Sequence, residues 1–544
     1  MITLTGKKVS EGIVIGRLVF FNRGEREIRK IYVEDPEKEL VRFQKARKKT
    51  AAELQELYEE SASELGEANA TIFEMQQMVL EDEEFVNRVV RMITEQKLNA
   101  DYAVKESVES FLKVFSVRPE SYVRGHETDV QDVASRILRI LSRSRKDRMF
   151  MDEPFIMAAR DLYPSEAVKL DKTKVLGFVT MYGSINSHTA VLARTKGIPS
   201  VIGIGEALKR DYEGKMVIID GFDGKLYIEP DQTTMERMKQ KKQQNLQKVE
   251  TLERLKGKEN VTQSGQKIDV CANIGSREDI ERVLRNDANG IGLFRSEFLY
   301  MESPGKLPTE DQQFQVYKLA AEAMGTKKVV IRTADLGGDK LPESMDFPGE
   351  NNPMMGYRGI RISLDKEEMF KTQLRAILRA SAFGTVSIMF PMIISVREVR
   401  DAKEILEECR AELKAQGVPM GEVEIGVMIE TPAAVMISDL LAKEVDFFSV
   451  GTNDLTQYTL AIDRQNPALE SYPYFRVDHT AIMRMLKMIA DNGHAGGCWV
   501  GICGELGANM DLLEDFLRMG YDELSVSPTF ILPLREKVRN TSLK

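Results

Sequence analysis

From about residue 261 to the C-terminus, eight short apolar runs alternate with helical text, and this alternation leaves the second half of the chain few folds to choose from. The runs are 268–274, 290–294, 328–333, 386–391, 424–430, 446–451, 498–503 and 523–527. They are nearly continuous in Val, Ile, Leu and Phe rather than alternating with polar residues, as expected of strands covered on both faces in a parallel sheet. Eight βα units in roughly 280 residues predict a closed (β/α)8 TIM barrel, in which reactive groups gather at the carboxyl ends of the strands.

The first half reads differently. Residues 1 to about 23 mix glycine with β-branched residues, in the manner of short strands and turns that cannot fold alone. From about 35 to 142 the period becomes helical, with Leu40, Phe43, Ala46, Leu54, Leu57 and Tyr58 recurring at threes and fours. Breaks at Gly66, at Asn99 and around 119–125 divide it into four or five helices that pack as a bundle. Met75, Met78 and Met92 form either an adaptable docking patch or ordinary core, and composition favours core. An α/β rhythm returns at 152–230, with strands expected at 154–159, 175–180 and 216–220. Residues 1–23 complete that α/β unit, which makes the bundle an insertion within it. The lysine-studded stretch 235–258 reads as a solvated connecting helix, because a nucleic-acid surface would interleave aromatics.

The expected organisation is therefore multidomain α/β: 1–23 with 146–230, an inserted helical region 24–145, a linker helix 231–260, and a barrel 261–544. A net charge of −9 gives no basic footprint, which argues against nucleic acid. No run approaches the ~18 consecutive apolar residues of a membrane span, and no secretory leader is visible, so a cytoplasmic location without membrane insertion is the default. Cys271, Cys409, Cys498 and Cys503 form no C-x-x-C pair and are read as thiols.

Reactive residues fall where a barrel would use them. Arg295 follows the second strand, Arg332 ends the third, Glu430 ends the fifth, Asn453 and Asp454 follow the sixth, and Cys503 ends the seventh. Singly, each is explained as a cap or a salt bridge; six on one rim are hard to explain as structure. Glu430 and Asp454 are hard oxygen ligands suited to Mg2+. Arg295, Arg332, Arg358 and Arg464 offer planar forks for phosphate and carboxylate. Such a site suits a small phosphorylated acid, with Cys503 placed to move a proton at carbon.

A second candidate lies in the α/β unit, where 183–194 carries His188 at the expected start of a helix, between the hydroxyls of Ser187 and Thr189. A helix N-terminus favours an incoming anion, and the hydroxyls suit the orientation of an imidazole. Equally, Asn186 or Ser187 is a plain N-cap and His188 a surface residue.

Taken together, Ser187-His188-Thr189 with Ala193-Arg194, Ile331-Arg332-Thr333 through Gly337-Gly338-Asp339-Lys340, Asn352-Pro353 with Gly356-Tyr357-Arg358, the run Gly451 to Tyr458, and Cys503-Gly504-Glu505-Leu506 make the chain resemble the Enzyme I family of the phosphoenolpyruvate:sugar phosphotransferase system. The resemblance covers essentially the whole chain. It implies that phosphoenolpyruvate phosphorylates His188, leaving pyruvate, and that the phosphoryl group then passes to the carrier protein HPr docked on the helical insertion. It further implies that Arg295, Arg332, Arg358, Arg464 and Asn453 bind phosphoenolpyruvate, that Glu430 and Asp454 hold Mg2+, that Cys503 protonates the enolate, and that the barrels form a homodimer. Ser184 and Asn186 depart from the family's Gly-Gly-x-Thr lead-in, Gln465 stands where glycine is common, and Asn509 where aspartate often occurs. Two alternatives stay open: a pyruvate phosphate dikinase or phosphoenolpyruvate synthase relative, which requires an ATP-binding module, and a carrier-binding regulator without turnover.

Overall fold

The structure, a computed structural model, describes residues 1–21, 28–65, 67–117, 127–142, 153–185, 187–301, 306–338, 340–342, 345, 347, 349–464, 466, 469 and 478–543. It forms two compact units, Met1–Lys248 and Val249–Lys544.

In the first unit, β1 (Ile2–Thr5), β2 (Lys7–Ser10) and β3 (Ile13–Phe20) join β4 (Phe155–Ala159), β5 (Val175–Thr180), β6 (Ser200–Ile202), β7 (Met216–Asp220) and β8 (Lys225–Ile228) in one eight-stranded sheet. Its order is β1-β8-β7-β3-β4-β5-β6-β2, with β3, β4, β5 and β6 parallel in succession. The opening residues thus pair with strands more than a hundred residues later, as the pattern of short β-branched runs requires of a segment too small to fold alone. Two strands carry no signal that the reading of the sequence used. β6 has three residues, too few to show a period, and β8 follows β7 through an Asp223-Gly224 turn that passed unread.

Between β3 and β4 the described helices are α1 (Pro36–Leu65), α2 (Glu67–Glu81), α3 (Glu83–Thr94), α4 (Ala100–Val117) and α5 (Glu127–Leu141). The break before α3 was not anticipated: Asp82 caps the helix by accepting from the Phe85 amide at 2.7 Å, with Glu83 and Glu84 favourable in its first turn. One core runs from Phe43, Leu57, Phe73, Phe85 and Ile137 of the helices to Phe155, Phe178 and Leu192 of the sheet layer. Buried Asp132 on α5 ties the two regions, accepting from the Ser165 hydroxyl at 2.7 Å, the Ser165 amide at 3.1 Å and Gln76 at 3.3 Å. Core packing holds for Met92 and partly for Met75, whereas Met78 is exposed.

The connecting helix, after α6 (Pro164–Val168) and α7 (His188–Lys196), is α8 (Gln232–Glu253). It is largely exposed, as its polar composition demands, but Met235 and Met238 pack on Ile13, Ile218 and Tyr227. Lys241 pairs with buried Asp220 at 2.7 Å and with Asp223 at 2.9 Å.

The second unit is a closed, all-parallel barrel of β9 (Asp269–Ile274), β10 (Ile291–Arg295), β11 (Val329–Arg332), β12 (Val386–Phe390), β13 (Glu424–Ile429), β14 (Phe447–Val450), β15 (Trp499–Ile502) and β16 (Glu523–Val526). All eight expected runs are strands. Successive side chains alternate between the helix layer and the interior: Val329 and Ile331 face the outer core, Val330 the interior with Leu293, Met389, Met428, Phe447 and Cys503.

At the amino ends of the strands the interior is closed by charge and aromatic stacking. Lys328 Nζ sits 3.0 Å from wholly buried Glu523 and 3.3 Å from Asp269, and 3.9 Å above the ring of Trp499. Trp499 in turn stacks on Phe447 at 4.4 Å and 7°. Removing Lys328 leaves buried Glu523 without its counter-ion, whereas removing Glu523 leaves Lys328 only the part-exposed Asp269. Glu523→Gln is expected to cost the barrel about 2–4 kcal/mol, read from chemical denaturation followed by Trp499, the only tryptophan. Lys328→Met/Glu523→Leu should cost less than Lys328→Met alone, and equal losses would contradict a paired plug.

Candidate functional site

Arg332 is the last residue of β11, and its buried guanidinium requires counter-ions. Nη2 lies 2.5 Å from Glu297, the first residue of the helix after β10, and Nη1 lies 3.4 Å from Asp335, one turn further along its own loop. Asp335 is wholly buried and meets two more cations, Lys340 Nζ at 2.7 Å and Arg358 Nη2 at 2.9 Å. Arg358 is delivered by backbone rather than by helix propensity. Gly337 has φ +94°, and a Cβ there would fall 2.3 Å from the Tyr357 carbonyl and 2.7 Å from Arg358 Cβ. Only glycine lets the two loops approach this closely. Arg358 then reaches Asp454 at 3.3 Å and the Tyr458 hydroxyl at 3.0 Å, both on the helix Thr452–Leu460 after β14.

Glu430 follows β13 and is fully buried, its Oε1 accepting from the Met392 amide at 2.7 Å and its Oε2 lacking any hydrogen-bond donor among the described residues. Among those residues, three cations, Arg332, Lys340 and Arg358, face four carboxylates, Glu297, Asp335, Glu430 and Asp454. The imbalance falls on Glu430. Burial, then the Asp454 and Asp335 charges, push its carboxyl up to about 8 against the opposing pull of Arg332 and Arg358, so it needs a proton or a cation beside it. Asp335 behaves oppositely: burial opposes its charge, yet Lys340, Arg332 and Arg358 hold it far below the usual carboxylate range. The Arg332 Nε–H, also buried, has no acceptor among the described residues.

Cys503 follows β15 with its Sγ 3.6 Å from the Val450 carbonyl. Burial pushes the thiol up to about 12, so at neutral pH it carries a proton to give. Asn453, partly buried in the first turn of Thr452–Leu460, accepts from the Glu505 amide at 3.3 Å. Arg295 ends β10 at the same rim, and its guanidinium has no hydrogen bond or ion pair among the described residues. Arg464 is exposed; its amide bonds Gln457 at 3.1 Å, and no contact among the described residues brings its guanidinium to the cluster. Asp339 and Gln465 lie outside the described residues.

The strand ends therefore carry six of the nine predicted residues, Arg295, Arg332, Glu430, Asn453, Asp454 and Cys503, with Arg358 brought in by a loop. Two features differ from the reading of the sequence. Arg332 and Arg358 are not open forks but are bound by protein carboxylates, because a buried guanidinium is costly without a counter-ion. The carboxylates that do this, Asp335 and Glu297, were passed over as candidates. The spacing Arg332-x-x-Asp335 just beyond a strand end was the available signal.

His188 opens α7, in the first unit; its side chain and all of Asn186 lie outside the described residues. The N-cap is Ser187, whose Oγ accepts from the Ala190 amide at 3.3 Å and donates to the Ser184 carbonyl at 2.8 Å. Thr189 is buried and donates to the Leu162 carbonyl at 2.7 Å. Each hydroxyl has a backbone partner, one closing the helix start and the other fastening it to the loop after β4.

Residues 249–543 match the PEP-binding domain of the PEP-utilising enzymes, residues 5–125 their N-terminal domain, and residues 151–224 their mobile domain. Over 541 residues, 99% of the chain and 94% of the relative, it is 39% identical to the phosphoenolpyruvate-protein phosphotransferase of Priestia megaterium. To the proteins of the same name from Staphylococcus carnosus and Bacillus subtilis it is 38% identical, again over 99% of the chain and 94% of each relative. No described helix is long and apolar enough to cross a membrane. With identity sustained from end to end and a barrel rim of arginines, carboxylates and a protonated thiol, the chain belongs to the phosphoenolpyruvate-protein phosphotransferase family.

Proposed function

We propose that the chain moves the phosphoryl group of phosphoenolpyruvate to its own His188 and then to the carrier protein HPr, as the first step of phosphotransferase-system sugar uptake. The observation that carries this reading is the barrel rim, where buried cations, an unsatisfied carboxylate and a protonated thiol converge on the carboxyl ends of parallel strands. Arg332, with its unpartnered Nε–H, and Arg295 and Arg358 bind the phosphate and carboxylate of the substrate, with Asn453 and Arg464 as further ligands. The bond from phosphorus to the enol oxygen breaks as a bond from phosphorus to the His188 imidazole forms. The electron pair left on oxygen gives the enolate of pyruvate, and Cys503 donates a proton to its methylene carbon. The resulting thiolate regains a proton from solvent. In the second transfer the phosphorus–nitrogen bond at His188 breaks as HPr takes the phosphoryl group.

The rim's donor set fits Mg2+: Glu430 and Asp454 are hard oxygen ligands, and Glu430 Oε2 has no donor among the described residues. Bound there, Mg2+ supplies Lewis-acid polarisation of the substrate's oxygens. The chain's own contribution is to hold these carboxylates ready against a wall of arginines, so that two anions, site and substrate, can meet.

The remaining assignments belong to the same proposal: residues 1–23 with 146–230 carry the phosphohistidine, 24–145 dock HPr, 231–260 link, and 261–544 bind substrate and pair in a cytoplasmic homodimer. The continuous sheet from β1 to β8 and the described helices α1 to α5 inserted between β3 and β4 support the first two.

Labelled phosphoenolpyruvate with Mg2+ should place acid-labile, base-stable label on the chain and pass it to added HPr. His188→Ala should abolish labelling without loss of the barrel's fold. Label persisting in that variant sinks the assignment, and label that appears only with ATP favours a dikinase instead. Glu430→Gln or Asp454→Asn should slow self-phosphorylation about a hundredfold and raise the Mg2+ concentration needed. Turnover undiminished by a chelator would rule out the metal.

A further inference from the structure

Tyr182 stands at the carboxyl end of β5, two residues past Thr180 and at the head of the segment that leads into α7 and His188. The residue is 40% exposed, so burial is not its main contribution to the fold. It is instead held at four points. Its amide donates to the Arg160 carbonyl at 2.9 Å and its carbonyl accepts from the Thr180 hydroxyl. Its phenol donates to Glu206, in the turn Gly205–Ala207 that follows β6, and the Arg160 guanidinium lies 5.6 Å from the centre of its ring. The Glu206 carboxylate raises the phenol above its ordinary range, so the O–H stays a donor at neutral pH.

The rest of the segment is fixed from the other end. Ser187 holds the Ser184 carbonyl through its hydroxyl and its amide, and Arg194 holds the Ile185 carbonyl at 3.0 Å. Between these ties and Tyr182 lies Gly183, with φ +121°, a conformation that glycine alone adopts at little cost. Gly183 has no side chain to add a contact of its own, so the order of the approach to α7 is set by the anchored residues on either side of it, Tyr182 before and Ser184 after. Glu206 reaches Tyr182 from the next strand's loop, joining the two loops at the carboxyl edge of the parallel strands.

We propose that Tyr182, tied through its phenol to Glu206 and flanked by Arg160, is a positioning residue that holds the lead-in to α7 so that His188 meets the phosphoryl group in one geometry. This rests on the reading of His188 as acceptor. Tyr182 does not touch the reacting atoms; it fixes the backbone that leads to residue 188, and near-attack geometry is what such restraint supplies.

Single-turnover labelling of the full chain with phosphoenolpyruvate and Mg2+ tests it. A partly exposed hydrogen bond limits the effect to about three- to tenfold. Tyr182→Phe, which keeps the ring, should slow His188 phosphorylation by that factor while KM for phosphoenolpyruvate and the thermal midpoint stay unchanged. Glu206→Ala should match it, Glu206→Gln, which keeps an acceptor, should restore the parental rate, and the double variant Tyr182→Phe/Glu206→Ala should be no slower than either single. A parental rate in Tyr182→Phe, multiplication of the two single effects, or a rate loss that tracks a fall in thermal midpoint overturns the proposal. Label that survives His188→Ala is a separate failure, of the acceptor assignment itself.

Discussion

A single buried carboxylate organises the barrel's working end. Asp335, wholly buried, contacts Arg332, Lys340 and Arg358, and through Arg358 the network continues to Asp454. Left unpaired, each of these cations would impose a large desolvation penalty, and together they would repel one another. Asp335 therefore decides where the guanidinium groups stand. It also decides the sign of the site. Its own charge is fully spent on its neighbours, so the uncompensated carboxyl is Glu430, and that is the place where a cation or a proton is required.

This arrangement depends in turn on the barrel's regularity. Parallel pairing of β11 with β12 and of β13 with β14 sets the strand ends side by side, so that residues far apart in sequence share one rim. Chemistry at one end is balanced by stability at the other, where Lys328, Glu523, Trp499 and Phe447 close the interior. The two ends use charge differently: below, a pair sealed by aromatic stacking; above, a network with an unbalanced carboxyl and unpartnered polar atoms left for what binds there.

Much of this was legible in the sequence, for physical reasons. Strands covered on both faces must be apolar along their whole length, so all eight announced themselves, and residues just beyond their ends could be assigned to one rim without coordinates. Arg358 could not be placed by the strand pattern, since a loop delivers it and the requirement for Gly337 is set by a clash that spacing does not show. Asp335 and Glu297 escaped because a carboxylate's role as counter-ion depends on which cations the fold brings to it. In the first unit, β6 was too short for any periodicity, and the backbone partners of the hydroxyls beside His188, the Ser184 and Leu162 carbonyls, are contributed by loop geometry that spacing does not show.

Under the proposed function, the rim accepts an anionic substrate only once a divalent cation sits beside Glu430 and Asp454. His188→Ala provides the means to test it, since a chain lacking the proposed acceptor would hold phosphoenolpyruvate unreacted. Calorimetric titration of that variant with phosphoenolpyruvate should show binding that appears with Mg2+ and is lost in chelator. Equal affinity in both conditions would contradict the account.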